Sequence, residues 1–334
     1  MRNFTGQVVF LILFAGLTIL SPLGARAVRD SDNTGGPVRQ EELVIYGLRG
    51  PSGVGMIRLF EEPPVLPNTA VTVEALAQAN LMAAKFIAGE AKIGILPPDT
   101  AAKIAASGGT NIQAAAVTGM GMLSLLSADS AVQRIEDLKG RSVEVAGQGA
   151  TPDYVFRRIL LSKGLKPDTD VIFGYSLAYP EIAQALIAGR LSLAMLPEPF
   201  ATMARAGNPG LQPVSNIQDE WAGATGTGNF PMTVLVVDSE WARTHRPALI
   251  TVLENLKASI EWVVSNPAEA GALVEKHDLG LRAPVVAAAV PRSNYAYIPA
   301  VEARPALESL YRAFLEFAPQ SIGGALPLDS FYWK

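Results

Sequence analysis

Two carboxylates, Asp99 and Glu198, stand one residue out of step in two segments that otherwise match, Leu96-Pro97-Pro98-Asp99 and Leu196-Pro197-Glu198. A pair of acids can divide general acid and general base work between them. The plainer role for such acids is at helix starts, where the helix dipole favours negative charge. Two hydroxyls, Ser52 and Thr151, lie in Gly-bearing loops, Arg49-Gly50-Pro51-Ser52-Gly53 and Gln148-Gly149-Ala150-Thr151-Pro152. Each loop leads into an expected helix, whose first amides lack internal partners and attract an anion or a polar acceptor. Glycine in such a loop lets a ligand approach the backbone closely. Each hydroxyl either contacts a ligand or caps its own helix. Tyr175, at the end of an expected strand, either meets a ligand or is an ordinary edge aromatic. Pro98 and Met120 lie at the ends of two further expected strands, with Met120 suited to the core or the floor of a cleft.

Other chemistry is poorly supplied. The chain has no cysteine, so it has no thiol nucleophile, disulfide or thiolate metal site. Its two histidines, His245 and His277, sit on polar stretches with no partner at ligand spacing, which points away from triads and zinc sites. The run Gly50 to Gly55 lacks both the Gly-Lys-Ser/Thr ending of a P-loop and the glycine spacing of a dinucleotide fingerprint. No cofactor and no metal are expected. Formal net charge is −4 and no Lys/Arg-rich run occurs, so nucleic acid is not an expected partner.

These loops recur because the chain repeats itself. Ala83, Ile87, Ala88, Gly89, Leu96 and Pro97 reappear as Ala183, Ile187, Ala188, Gly189, Leu196 and Pro197, and Ala101 as Ala201. Each copy predicts a buried strand (43–46; 142–146), a Gly-rich turn and a helix (about 53–62; 151–163). A second strand follows (70–74; 171–174), then a helix ending at Gly89 or Gly189, then a third strand (92–96; 191–196). Alternation of this kind implies parallel α/β sheet with right-handed crossovers. A further strand is expected at 231–237 and helices at 247–264, 267–276, 284–290 and 300–317. The expected architecture is two pseudo-symmetric α/β lobes with a hinge. Lobe one takes 41–120 and 225–334, and lobe two takes 121–222. The chain crosses near 120–127 and returns near 224–230, with the Gly-rich stretch 223–228 as return hinge. In such sheets ligands bind beyond the carboxyl ends of the strands.

Hydrophobic residues make up 49% and charged residues 17%, enough apolar content for sizeable cores. The apolar run Val8–Leu20 is too short to span a bilayer comfortably. With Arg2 before it and Ala25-Arg26-Ala27 after it, residues 1–27 read as a signal peptide cleaved after Ala27, the alternative being an uncleaved anchor. Residues 28–40 read as a flexible leader. Without a cysteine to lipidate, the mature protein is expected free in a periplasm.

Several segments, in order, resemble type II periplasmic binding proteins of ABC transporters. Ile135-Glu136-Asp137-Leu138-Lys139-Gly140-Arg141-Ser142-Val143 is similar to the step that opens their second lobe. Gly149-Ala150-Thr151-Pro152-Asp153 followed by Leu160-Leu161-Ser162-Lys163-Gly164-Leu165 resembles their next helix, and Ala188-Gly189 leading to Leu196-Pro197-Glu198-Pro199-Phe200 a later element. Asn266-Pro267-Ala268-Glu269-Ala270 also fits. The branch is the one that includes nitrate-, taurine- and alkanesulfonate-binding proteins and binders of thiamine-pyrimidine precursors. The resemblance implies a monomer that closes on one small molecule and delivers it to an inner-membrane permease driven by a separate ATPase. It implies ligand contacts from Ser52, Gly53, Asp99, Gln148, Ala150, Thr151, Tyr175 and Glu198. The strand-end loops add Arg49, Gly50, Pro98, Met120 and Gly149 to that set. Arg190 and Ser192 depart from the family's habits, outside the expected cleft. Arg49 is the one firm cation of these loops, which favours a small organic ligand, aromatic or bearing a sulfonate or carboxylate, over a bare inorganic anion. The rival readings are an enzyme on the same fold, resembling chorismate-dehydrating or pyrimidine-synthesising relatives, and a ligand-binding subunit of another transporter or sensor.

Overall fold

A computed structural model of the protein describes residues 40–145 and 147–334. The expected signal peptide and residues 28–39 of the expected leader lie outside the described residues.

The first copy runs β1 (Glu41–Leu48), α1 (Pro51–Val54), α2 (Ile57–Glu61), β2 (Thr69–Leu76), α3 (Ala79–Ile87), β3 (Ile93–Leu96), α4 (Pro98–Ala106) and β4 (Ile112–Met120). The second runs β5 (Leu123–Ser127), β6 (Arg141–Val145), α5 (Thr151–Ser162), β7 (Val171–Gly174), α6 (Tyr179–Ile187), β8 (Leu193–Pro197), α7 (Phe200–Gly207), β9 (Gln212–Asn216) and α8 (Ile217–Thr225). The chain continues through β10 (Pro231–Asp238), α9 (Ser239–Thr244), α10 (Arg246–Ser265), α11 (Pro267–Lys276), α12 (Ala283–Ala289), β11 (Tyr295–Pro299) and α13 (Ala300–Phe317).

The strands form two sheets, ordered β11-β4-β10-β3-β1-β2 and β7-β6-β8-β5-β9. In each sheet the first strand of a copy lies parallel between its second and third, β1 between β2 and β3, and β6 between β7 and β8. In each, one antiparallel strand separates the third strand from the fourth. It is β10 in the first sheet and β5 in the second, and each follows a passage of the chain from the other sheet. The repeat in the sequence is therefore a repeat in topology, and the molecule is two α/β lobes. The repeated Ala-Gly pairs close α3 and α6 in the same way. Gly89 and Gly189 are left-handed, with φ of 73° and 67°. Glu90 N–H donates to Lys85 O and Arg190 N–H to Ala185 O, which satisfies carbonyls that the helix end leaves open.

Every residue of β3 is buried, as parallel strands covered on both faces require. One face of the first sheet packs Ile45, Ile93, Leu235 and Val237 against Trp241, Val252 and Leu253. The other packs Leu96, Val117 and Val234 with Leu307, Leu310 and Phe314 of α13. Phe314 also meets Tyr154 of α5 edge-on at 4.7 Å, so the last long helix touches the second lobe. Such a pair contributes about 0.5–1.5 kcal/mol beyond the area it buries.

Three expectations need correction. The helix expected over 53–62 is two helices. Ser259 of α10, fully buried, donates its hydroxyl to Gly55 O at 3.0 Å and accepts from Arg58 N at 3.3 Å, taking over both groups at the break. The strand β5 fills most of the stretch 120–127 expected as a crossing, and the passage between sheets is Gly121-Met122. Gly223, expected in the return hinge, belongs to α8, and the helix-free return is 226–230. The strands β9 and β11 and the helix α8 had no expected counterpart.

Candidate functional site

The three strand-end loops of one copy and the same three of the other surround one cavity of about 420 Å³. From the first lobe come residues 48–52 after β1, 77–79 after β2 and Pro97 after β3. From the second come 150–152 after β6, Tyr179-Pro180 after β7 and Pro197 at the end of β8. Met122, Phe200, Met232, Thr233, Leu279 and Gly280 complete the wall. The surface is mostly apolar. Tyr179 and Phe200 stack at 5.9 Å and offer an aromatic face. Besides the Tyr179 hydroxyl, the polar side chains are Arg49, Ser52, Gln78, Thr151 and Thr233, with no carboxylate among the lining residues. Arg49 is half exposed and stands 3.6 Å from exposed Asp278, a pairing worth little in water.

Of the sequence-derived residues, Arg49, Gly50, Ser52, Ala150 and Thr151 line this cavity. Gly53 lies beneath it, its amide bonded to Gly50 O at 3.2 Å, with no room for a Cβ because Leu48 O is 2.6 Å from where one would stand. Pro98 is buried behind Pro97. Met120 closes β4 and its amide bonds Asn294 O. Gln148 is exposed and outside the lining. Gly149 and Asp99 line a neighbouring recess of about 440 Å³, together with Asn80, Thr100 and Lys103.

Tyr175 is turned into its own lobe. Its hydroxyl donates to Asp153 Oδ1 at 2.9 Å and accepts from Arg157 at 2.8 Å, in a network that Asp168 extends. Glu198 is buried and takes the simpler of its two expected roles. It accepts from Thr202 N at 3.0 Å at the start of α7, and Arg292 reaches it at 3.5 Å from beyond α12. Asp99 and Glu198 therefore have separate partners and do not work as a pair. Asp99 stands at the start of α4 with its pKa pushed up to about 6 by burial. Amides of the helix start and the Thr100 and Thr151 hydroxyls pull it partly back.

Gln78, Tyr179, Pro180 and Phe200 were not foreseen, whereas Met122 was expected in the core or on the floor of a cleft and stands in the cavity wall. The offset of one hundred maps Tyr179 onto Ala79, and each opens the helix that follows the second strand of its copy.

The profile of the NMT1-like family matches residues 66–276, more than half of the chain. The chain belongs to the NMT1-like family. Among solved structures, this NMT1-like protein is similar to an ABC transporter protein from Parabacteroides distasonis, with 26% identity and a TM-score of 0.75, covering 87% of this chain and 98% of that one. It also resembles the periplasmic aliphatic sulphonate binding protein SsuA from Escherichia coli, at 18% identity and a TM-score of 0.70, covering 88% and 92% of the two chains. The alkanesulfonate-binding protein SsuA from Xanthomonas axonopodis, bound to MOPS, gives 17% identity and a TM-score of 0.65, with 87% and 98% covered. No curated protein matches the sequence. The NMT1-like chain thus has the fold of type II periplasmic binding proteins, and its structural neighbours include solute-binding proteins of ABC transporters and one enzyme, DszB.

Proposed function

We propose that this protein is the solute-binding subunit of an ABC importer. It captures a small polar or anionic organic molecule between its lobes and presents it to an inner-membrane permease and ATPase. The observation that carries this reading is the meeting of equivalent strand-end loops, 48–52 and 150–152, on opposite sides of one cavity. A cavity of about 420 Å³ lies within the range of small-ligand sites. Its apolar walls, aromatic face and few polar groups suit an organic molecule better than a bare inorganic anion. The reading places the protein in the periplasm as a monomer, with no cofactor and no metal. Neither histidine lines the cavity. His277 bonds Glu61 at 2.8 Å and His245 faces Glu41 at 3.5 Å, which removes the usual proton-transfer group from the site.

The test is calorimetric titration and thermal shift of the purified chain against small organic solutes. Ser52→Trp and Thr151→Trp are each expected to fill the cavity, abolish binding and leave the circular dichroism spectrum unchanged. Unaltered affinity in both variants would place the ligand elsewhere. Turnover of a bound solute would instead establish the enzyme reading.

A further inference from the structure

Five helices, α3 to α7, begin at the wall of the inter-lobe cavity, at the lining residues Ala79, Pro97, Thr151, Tyr179 and Phe200. Converging helix starts ordinarily favour an anion, through unpaired amides and the positive end of the dipole. Four of these starts set a proline beside an acid: Pro98-Asp99, Pro152-Asp153, Pro180-Glu181 and Glu198-Pro199. The proline has no N–H to offer. The acid puts the chain's own negative charge at the dipole end. Asp153 accepts from Gly149 N at 2.8 Å, Glu181 from Ala178 N at 2.8 Å and Glu198 from Thr202 N at 3.0 Å. Asp99 draws on its own amide and that of Thr100. The fifth start, α3, carries the neutral Asn80, whose Oδ1 accepts from Leu81 N at 2.9 Å. The acceptor that an anion would bring to these helix starts is thus supplied by the chain itself.

A cation is no better served. No carboxylate lines the cavity, and a charge taken out of water against such a wall without a counter-ion is strongly disfavoured. Asp153 and Glu198 already have Arg157 and Arg292 as partners, at 2.6 and 3.5 Å. Arg49, the one charged lining residue, is half exposed at the rim beside Asp278. What the wall offers is neutral. The Thr233 hydroxyl is bonded to that of Thr118 at 2.9 Å, and the Thr151 hydroxyl faces Asp99. Ser52, Gln78 and the Tyr179 hydroxyl remain as polar groups for a solute, beside Met122, Met232 and the stacked rings of Tyr179 and Phe200.

We propose that the ligand is an uncharged molecule. Its apolar, flat body packs on Tyr179 and Phe200, and a hydroxyl, carbonyl or amide group meets Ser52, Gln78 or the Tyr179 hydroxyl. This rests on the solute-binding reading above and narrows it, setting the protein apart from its sulfonate-binding neighbours. The helix-start acids are the selective element. They disfavour an oxyanion without lining the cavity, because charges in a partly desolvated cleft are poorly screened.

The probes are benzamide, benzyl alcohol, benzoate, benzenesulfonate and benzylamine, five end groups on one phenyl body. They are titrated into the full chain by calorimetry at neutral pH, the weak ones by competition against the tightest. The tighter of the two neutral probes is expected to exceed every charged one by at least about tenfold. Glu181→Gln keeps an oxygen for Ala178 N and removes the charge at the start of α6, and circular dichroism verifies its folding. It is expected to raise benzoate affinity relative to benzamide by about threefold, a change of ratio that loss of packing would not produce. A charged probe that binds within the tenfold margin overturns the uncharged assignment while leaving solute capture standing. An unaltered benzoate-to-benzamide ratio in Glu181→Gln overturns the role given to the helix-start acids. Binding by none of the five at millimolar concentration, with no contraction of the molecule in scattering, overturns both readings.

Discussion

Asp99 and Glu198 occupy matching places in the two copies, and their surroundings give them different tasks. Glu198 is 3% exposed and serves as a structural acceptor for Thr202 N and Arg292. Glu198→Ala leaves a buried amide unpaired and is expected to cost about 2–3 kcal/mol in urea unfolding. Glu198→Gln keeps an oxygen for Thr202 and is expected to lose less. Asp99 works against stability. Its folded-state pKa of about 6 lies above the ordinary 3.8, so between those values the folded chain holds a proton that the unfolded chain has released. Stability is therefore expected to fall as pH rises from about 4 to about 6 and then to level off. Asp99→Asn removes the titration. It is expected to match the wild type near pH 4 and to exceed it at pH 7 by on the order of 1–3 kcal/mol in melts across a pH series. The sequence placed both acids at helix starts. It had no means of showing that one meets Arg292 and the other the Thr151 hydroxyl, because both partners come from distant chain segments.

At the level of elements, most of the two copies was legible because the signal was local. Apolar runs ending in Gly or Pro marked β1, β3, β6 and β8, and the Ala88-Gly89 and Ala188-Gly189 pairs marked two helix ends whose hydrogen bonds are the same. What escaped was set by tertiary contacts. β9 (QPVSN) has one buried residue and no apolar alternation to betray it. The break between α1 and α2 depends on Ser259, two hundred positions away. The loop after β2 was missed because that strand runs on to Leu76, past the expected end at Glu74. The passages between lobes show the same dependence. Gly121 O accepts from Gln218 at 3.1 Å, from Asn229 at 3.3 Å and from Asn294, which ties both passages to one carbonyl. A Cβ on Gly121 would lie 2.3 Å from Asn229 Oδ1 and 2.7 Å from the Phe230 ring. Gly121→Ala is therefore expected to cost about 1–3 kcal/mol of stability by thermal melt, through overpacking alone.

For the whole molecule, the question is what must separate for a solute to reach the cavity. Two passages join the lobes, an arrangement that permits hinge motion. On one flank the lobes also touch through side chains. Arg292, beyond α12, reaches Glu198 at 3.5 Å and Thr202 at 3.1 Å, and Val286 shares an apolar cluster with Phe200 and Ala204 of α7. Opening the cavity parts these contacts, so they weight the closed form. Arg292 is half exposed, and its contribution is on the order of 1 kcal/mol or less. That is enough to change a two-state population by a few-fold. Arg292→Ala is expected to raise the radius of gyration of the ligand-free chain and to weaken apparent affinity by the same few-fold factor, because apparent affinity scales with the closed fraction. At saturating ligand the variant and the wild type should contract to a common radius. A ligand at one hundred times its Kd adds roughly 2.7 kcal/mol of stability to either. A ligand-free Arg292→Ala chain with the wild-type radius, or a wild-type radius that does not shrink at saturation, would show that the lobes do not hinge at this flank.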